Sequence, residues 1–207
     1  DDSAAVQEAL TTAAIAATAV GARALKFVAP NLAAGIACRA AAAAPPLNVI
    51  LCENLKNAAG IVREMVADHV PAAARDYFNT QVGFVDTVIG RMVPPPDPEM
   101  RAQDIGLIRV EPYKELPVDA DGFKGAVPQI ACMTAHHNFR RFTARKLYIH
   151  NCGHALLAYR GWLKSHEYGW QALADPEVKE FLFAGWEESA AAVAVEYAAD
   201  IDWLRRH

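Results

Sequence analysis

Lys146, Asn151 and His154 stand within the string Arg145-Lys-Leu-Tyr-Ile-His-Asn-Cys-Gly-His154, and their types invite acid–base chemistry. On a helix advancing about 100° per residue, the three fall within an arc of roughly 140°. One face then carries an amine, a carboxamide and an imidazole. A lysine desolvated in a pocket loses its proton near neutral pH and can serve as a general base. An asparagine amide can donate to an oxygen that becomes an alkoxide, and a histidine can orient the same substrate. The plainer alternative is a solvated lysine beside a helix-end Asn-Cys-Gly turn with a hydrogen-bonded histidine. On spacing alone that alternative is the weightier.

A second cluster is Cys52-Glu53-Asn54, directly after an apolar run. Polar groups just past the carboxyl ends of parallel strands sit where α/β proteins bind ligands, although Asn54 could equally cap a following helix. Thr18-Ala19-Val20-Gly21 ends the preceding apolar run in the same way, and its small residues would let a ligand approach the backbone. Zinc is a weaker reading. His150 and His154 are four apart, with His136-His137 upstream, but the glutamate of the metalloprotease helix is absent. Cys152 would point away from the face that the two histidines share, so no metal is expected. Phe139, Phe142, Tyr148, Trp162, Phe181, Phe183 and Trp186 lie at helical spacings and read as core, and Glu187-Glu188 as a solvated face.

The elements that must position these residues alternate at first. A short helix over 4–12 precedes a buried strand, Ile15 to Val20, and a helix over 22–43, with Pro30 tolerable only near a turn or break. A second buried strand, Leu47 to Cys52, leads to helices over 56–68 and 72–80 and a β-like run from Val82 to Ile89. Strand, crossover helix and strand is the pattern of a parallel sheet covered on both faces. After Pro94-Pro-Pro-Asp-Pro98, a strand is expected at Leu107–Val110, then a Pro/Gly-punctuated segment to Pro128. Long helices are expected over 134–164 and 176–199, the second starting at Asp175-Pro176. The fold class is therefore α/β followed by all-α, with domains at 1–130 and 131–207.

Composition narrows the classes of function. The 207 residues carry 20 basic and 24 acidic side chains, a net charge of −4, which supplies no field for gripping a nucleic acid. The hydrophobic fraction is 53%, but about a fifth of the chain is alanine, so the core must come from larger residues. No apolar run reaches the roughly 18 residues a membrane span needs. Four cysteines without a Cys-x-x-Cys pair point to reducing cytoplasm. The chain opens Asp1-Asp-Ser3 and closes inside a helical pattern at Trp203–His207, and is expected to be processed or excised from something longer.

With these residues in place, the chain resembles the long-chain polyol (mannitol) dehydrogenases. The strings that carry the resemblance, in order, are Asn48-Val-Ile-Leu-Cys-Glu-Asn54, Val82-Gly-Phe-Val-Asp86 through Arg91-Met-Val-Pro94, Phe123-Lys-Gly-Ala-Val-Pro128, and Lys146-x4-Asn151-x2-His154-Ala155. The resemblance implies an NAD-dependent, zinc-independent oxidoreductase acting on a polyol or polyol phosphate. In that case the chain contains the later part of a Rossmann-type cofactor domain and the start of a helical substrate domain, which closes over the cofactor. By the same resemblance Lys146 is the general base, Asn54 and Asn151 donate to the alkoxide, and His154 holds substrate. Thr18, Ala19, Val20, Gly21 and Asn54 line the cofactor crevice. Two departures stand out. No Gly-x-Gly occurs in the chain, so the phosphate-binding turn is expected upstream, and the chain alone is expected to be inactive and to hold NAD weakly. Gly90 stands where relatives usually place an aspartate, which removes one substrate contact. A monomer is expected. A non-catalytic sugar-binding or scaffold module derived from the same family is the alternative.

Overall fold

The computed structural model describes residues 2–91 and 93–206, so Asp1 of the opening string, Met92 of the Arg91–Pro94 string and the closing His207 lie outside the described residues. The chain divides into two compact units, Asp1–His137 and Asn138–His207.

The first unit follows the alternating pattern: α1 (Ser3–Thr12), β1 (Ile15–Thr18), α2 (Leu25–Ala41), β2 (Leu47–Leu51), α3 (Ala58–Ala67), α4 (Arg75–Gln81) and β3 (Val82–Asp86). The three strands form a parallel sheet in the order β1-β2-β3, with Ile15 opposite Asn48 and Asn48 opposite Gly83. Side chains alternate across a strand, and the two faces of this sheet have different partners. Leu47, Val49 and Leu51 of β2, with Val82 and Phe84 of β3, join the core made with α2 and α3. Ile50 and Val85 face the other way, onto Val118. Pro30 lies inside α2, which runs on without a break, so the expected turn there is absent. The bond its ring removes is the one to Lys26, in the helix's first turn.

One buried cation ties this layer together. Arg39, 2% exposed, donates through Nη1 to the carbonyls of Leu10 (2.8 Å), Thr11 (3.1 Å) and Ala13 (2.8 Å). Its Nη2 reaches Pro45 O at 2.7 Å and its Nε reaches Tyr77 Oη at 3.1 Å. The guanidinium therefore satisfies the carbonyls at the end of α1 and in the turn before β2, which the sheet and helices cannot reach.

Val118 belongs to an extension that differs from the sequence expectation. Leu107–Val110 forms no strand among the described residues, and Ile108 is exposed. A helix, α5 (Pro98–Gln103), precedes it, and the strands lie at β4 (Leu116–Asp119) and β5 (Met133–His136), paired parallel to each other. Asn48 fastens the loop between them to the sheet: its Nδ2 donates to Lys124 O at 3.1 Å and its Oδ1 accepts from Lys124 N at 2.7 Å. Gly83 makes room for this, since a Cβ there would lie 2.6 Å from the Gly122 carbonyl and fall on the Asn48 carboxamide.

The second unit is helical but does not hold the single helix expected over 134–164. After β5 come α6 (Arg140–Arg145), a π-helical turn (Lys146–Asn151) and α7 (Cys152–Leu163), then α8 (Gly169–Ala174), α9 (Pro176–Glu196) and α10 (Ile201–Arg205). Asp175 caps α9 as its sequence promised, accepting from Glu177 N and Val178 N. The aromatic residues read as core divide. Phe139 and Phe142 are buried and stacked, with Trp203 edge-on to Phe142. Tyr148, Trp162, Phe181 and Phe183 are exposed, so the helical spacing that marked them as core does not place them there in this unit. No helix among the described residues is long and apolar enough to cross a membrane.

Candidate active site

At the carboxyl end of β1 the chain passes from a buried Thr18 to exposed Ala19, Val20 and Gly21, the last in the left-handed region at φ +83°. This turn is held from the next strand. Glu53, 6% exposed just past β2, accepts from Thr18 Oγ1 at 2.7 Å and from Val20 N at 3.1 Å. Glu53 belongs to no chemical motif in the sequence beyond the Cys52-Glu53-Asn54 string. Its signal was a carboxylate placed directly after a wholly buried strand, where only specific donors could keep it. The same charge acts on its neighbour: burial first, and the Glu53 carboxylate second, push the Cys52 thiol up.

Asn54 is exposed in the loop that follows. It is not the cap of α3. That position belongs to Asn57, in the left-handed region at φ 57°, and Asp86 at the end of β3 accepts from Ala59 N at 2.8 Å. Burial raises the Asp86 carboxyl, against the lowering effect of that bond. Gly90, in the Arg91 string, faces Tyr113, whose Cε1 would be 3.1 Å from a Cβ there.

Lys146, Asn151 and His154 lie in the second unit on one continuous helix, so the chain makes no Asn-Cys-Gly end turn at this point. The helix is not uniformly α, and the arc of 140° does not apply to it. A π turn bonds each residue to the fifth one on, and Lys146 and Asn151 are its two ends. Residues five apart therefore come into register where an α-helix would hold them well apart. Lys146 is half-buried, and its ammonium loses hydration there, which lowers its pKa below the ordinary lysine value.

His154 is exposed and stacks edge-on with His150, ring centroids 4.7 Å apart. Both line a cavity of about 480 Å³ with Leu157, Phe183, Trp186 and Glu187, whereas Lys146 and Asn151 are not among its lining residues. Glu187 and Glu188 are exposed, as a solvated face requires, and Glu187 pairs across that surface with Arg205 Nη2 at 2.8 Å. Among the described residues no three His, Cys, Asp or Glu side chains are grouped as a metal ion would need.

The residues present fit one part of a dinucleotide. Ala19 to Gly21 offer open backbone at the carboxyl end of a parallel sheet, with nothing within 4 Å of the place a Gly21 side chain would occupy. A Gly-x-Gly cradle for the pyrophosphate does not occur in the 207 residues. Residues 1–132 match the family model of the mannitol dehydrogenase Rossmann domain. That match takes in the three-stranded sheet, its helices, the Glu53-pinned turn and the loop that Asn48 fastens, and so the chain belongs to the mannitol dehydrogenase family.

Proposed function

We propose that the protein is an NAD-dependent, zinc-independent polyol oxidoreductase, and that its substrate pair is mannitol 1-phosphate and fructose 6-phosphate. NAD, when bound, supplies the hydride acceptor. The Lys146 amine takes the hydroxyl proton of the carbon that is oxidised. The Asn151 carboxamide donates to the oxygen as its charge grows, and Asn54 has the same donor role by resemblance. His154 orients the polyol. Thr18, Ala19, Val20 and Gly21, with Asn54, border the cofactor.

The observation that carries this reading is the half-buried Lys146 at one end of a π turn whose other end is Asn151. A base works best when its pKa lies near the operating pH, and loss of hydration moves Lys146 in that direction. An aligned amide donor in a water-poor site stabilises the alkoxide far better than water would.

NADH consumption by the full-length gene product, offered fructose 6-phosphate and fructose side by side, tests the substrate. Oxidation with the phosphate alone supports the pair named, and turnover of fructose alone replaces it with the free polyol. Lys146→Ala tests the base: kcat should fall by about 10²–10⁴ with KM little changed. Near-normal turnover in that variant removes Lys146 from the chemistry.

A further inference from the structure

The π turn is an unusual conformation, and its carbonyls need donors that an α-helix would have supplied. In an α-helix the Tyr148 carbonyl would accept from the N–H of Cys152. Here the Cys152 N–H is directed to Leu147 O and Ile149 O instead. Two side chains of α9 reach the carbonyls around this displacement. Ser189 Oγ donates to Tyr148 O, and Trp186 Nε1 donates to Ile149 O at 2.9 Å. Trp186 and Ser189 are three apart on α9 and so share a face.

The indole's place is open only because residue 153 is glycine. A Cβ on Gly153 would fall on Trp186 Nε1 and lie 2.6 Å from Cε2. Ile149 is buried, so its carbonyl has little recourse to water, while Trp186 also packs against the core of Ala144, Ile149, Ala190 and Val193. Helical spacing alone marks Trp186 as a packing residue and says nothing of Ser189. Their polar atoms do something more specific.

We propose that Trp186 and Ser189 are positioning residues that clamp the Lys146–Asn151 turn in its π form and thereby hold Lys146 in register with Asn151. This rests on the reading of Lys146 as the base. Without the two donors, the α form regains its lost hydrogen bonds, and the five-residue spacing then carries Asn151 about 140° around the axis from Lys146. Base and oxyanion donor would then stand at the two limits of the helix face, where their common reach to one oxygen is poorest.

The test uses Trp186→Phe, Ser189→Ala and the double variant in the full-length gene product, with Ser189→Thr as the variant that keeps a hydroxyl. Circular dichroism establishes that each is folded. In the double variant kcat is expected to fall at least tenfold while KM for the polyol stays within threefold, and Ser189→Thr is expected to retain most of the activity that Ser189→Ala loses. A readout independent of turnover is the pH midpoint of Lys146 acetylation, resolved by peptide mass spectrometry. It should move up toward the ordinary lysine value in the double variant and stay in place in Ser189→Thr. A folded double variant with unchanged kcat and an unchanged Lys146 midpoint overturns the clamp. Lys146→Ala, assayed alongside, separates the two ideas. If it is inactive while the double variant is fully active, the clamp is wrong and the base stands. If it is active, the base is wrong, and the midpoint alone then decides the clamp.

Discussion

Removing the Glu53 carboxylate should loosen the turn after β1 and change the chemistry of a neighbouring thiol in the same variant. Glu53 holds that turn through the Thr18 hydroxyl at 2.7 Å and the Val20 amide at 3.1 Å. Hydrogen bonds to a charged group contribute about 1.5–3 kcal/mol each. The two share one acceptor group, and Val20 is exposed enough for water to replace its partner, so they will not add fully. Glu53→Ala should therefore lower the stability of the first unit by about 3 kcal/mol, a large part of the roughly 5–15 kcal/mol that domains possess. Glu53→Gln keeps the shape but can accept well from only one donor, and about 1–2 kcal/mol is expected. Urea denaturation measures both. The second readout is Cys52. Its thiol is raised by burial and, to a lesser degree, by the Glu53 charge. Glutamine removes the charge and keeps the burial, so the pH midpoint for iodoacetamide labelling of Cys52 should fall while staying above the ordinary thiol value. Peptide mass spectrometry separates Cys52 from the three other free cysteines. A Glu53→Gln variant with wild-type stability and an unmoved Cys52 midpoint would refute the pinning of this turn by an ionised Glu53.

Two further outcomes follow from groups that the sequence alone leaves obscure. Arg39→Met strips donors from the carbonyls of Leu10, Thr11, Ala13 and Pro45 and should cost about 3–5 kcal/mol in urea denaturation, with Arg39→Lys recovering little because three donors cannot replace the planar fork; a loss below about 1 kcal/mol would show that water satisfies those carbonyls. The Asp175 carboxyl is held well below the usual carboxylate range, chiefly by Lys164 and then by His166 and the amides it caps. A depressed carboxyl contributes stability in full above its unfolded value of about 3.9 and loses it only as pH falls toward the folded value. The stability gap between wild type and Asp175→Asn should thus narrow as pH falls below about 4; a gap that widens between about pH 4 and pH 2 would reverse the sign.

Local patterns revealed the elements whose cause is local. β1, β2 and β3 are runs of apolar residues between turn signals, and Asp175-Pro176 marks the start of α9 because cap and first turn are adjacent in sequence. β4 and β5 were not legible. Leu-Pro-Val-Asp and Met-Thr-Ala-His have little strand character, and they are strands because they pair with each other and set Val118 against Ile50 and Val85. Leu107–Val110 shows the reverse case, a strand-like tetrapeptide that pairs with no strand among the described residues. The π turn is the strongest example. Whether residue 146 relates to 150 or to 151 depends on two donors about forty residues further on, which no periodicity within 146–154 can contain.

The strings that carried the family resemblance also separate by cause once the contacts are known. Asn48, Gly83 and the Phe123–Gly125 loop come from three different strings, yet they form one joint: the carboxamide grips both sides of Lys124, and Gly83 leaves the space for it. Their part in the resemblance is architectural, for they lock the extension onto the sheet. Glu53 and Asn54 divide in the same way, one turned inward to hold the β1 turn and the other left exposed past the strand. A family can thus be recognised largely through residues that build its scaffold. The chemical proposal then rests on the few that the scaffold leaves available, namely Asn54 in the first unit and Lys146, Asn151 and His154 in the second.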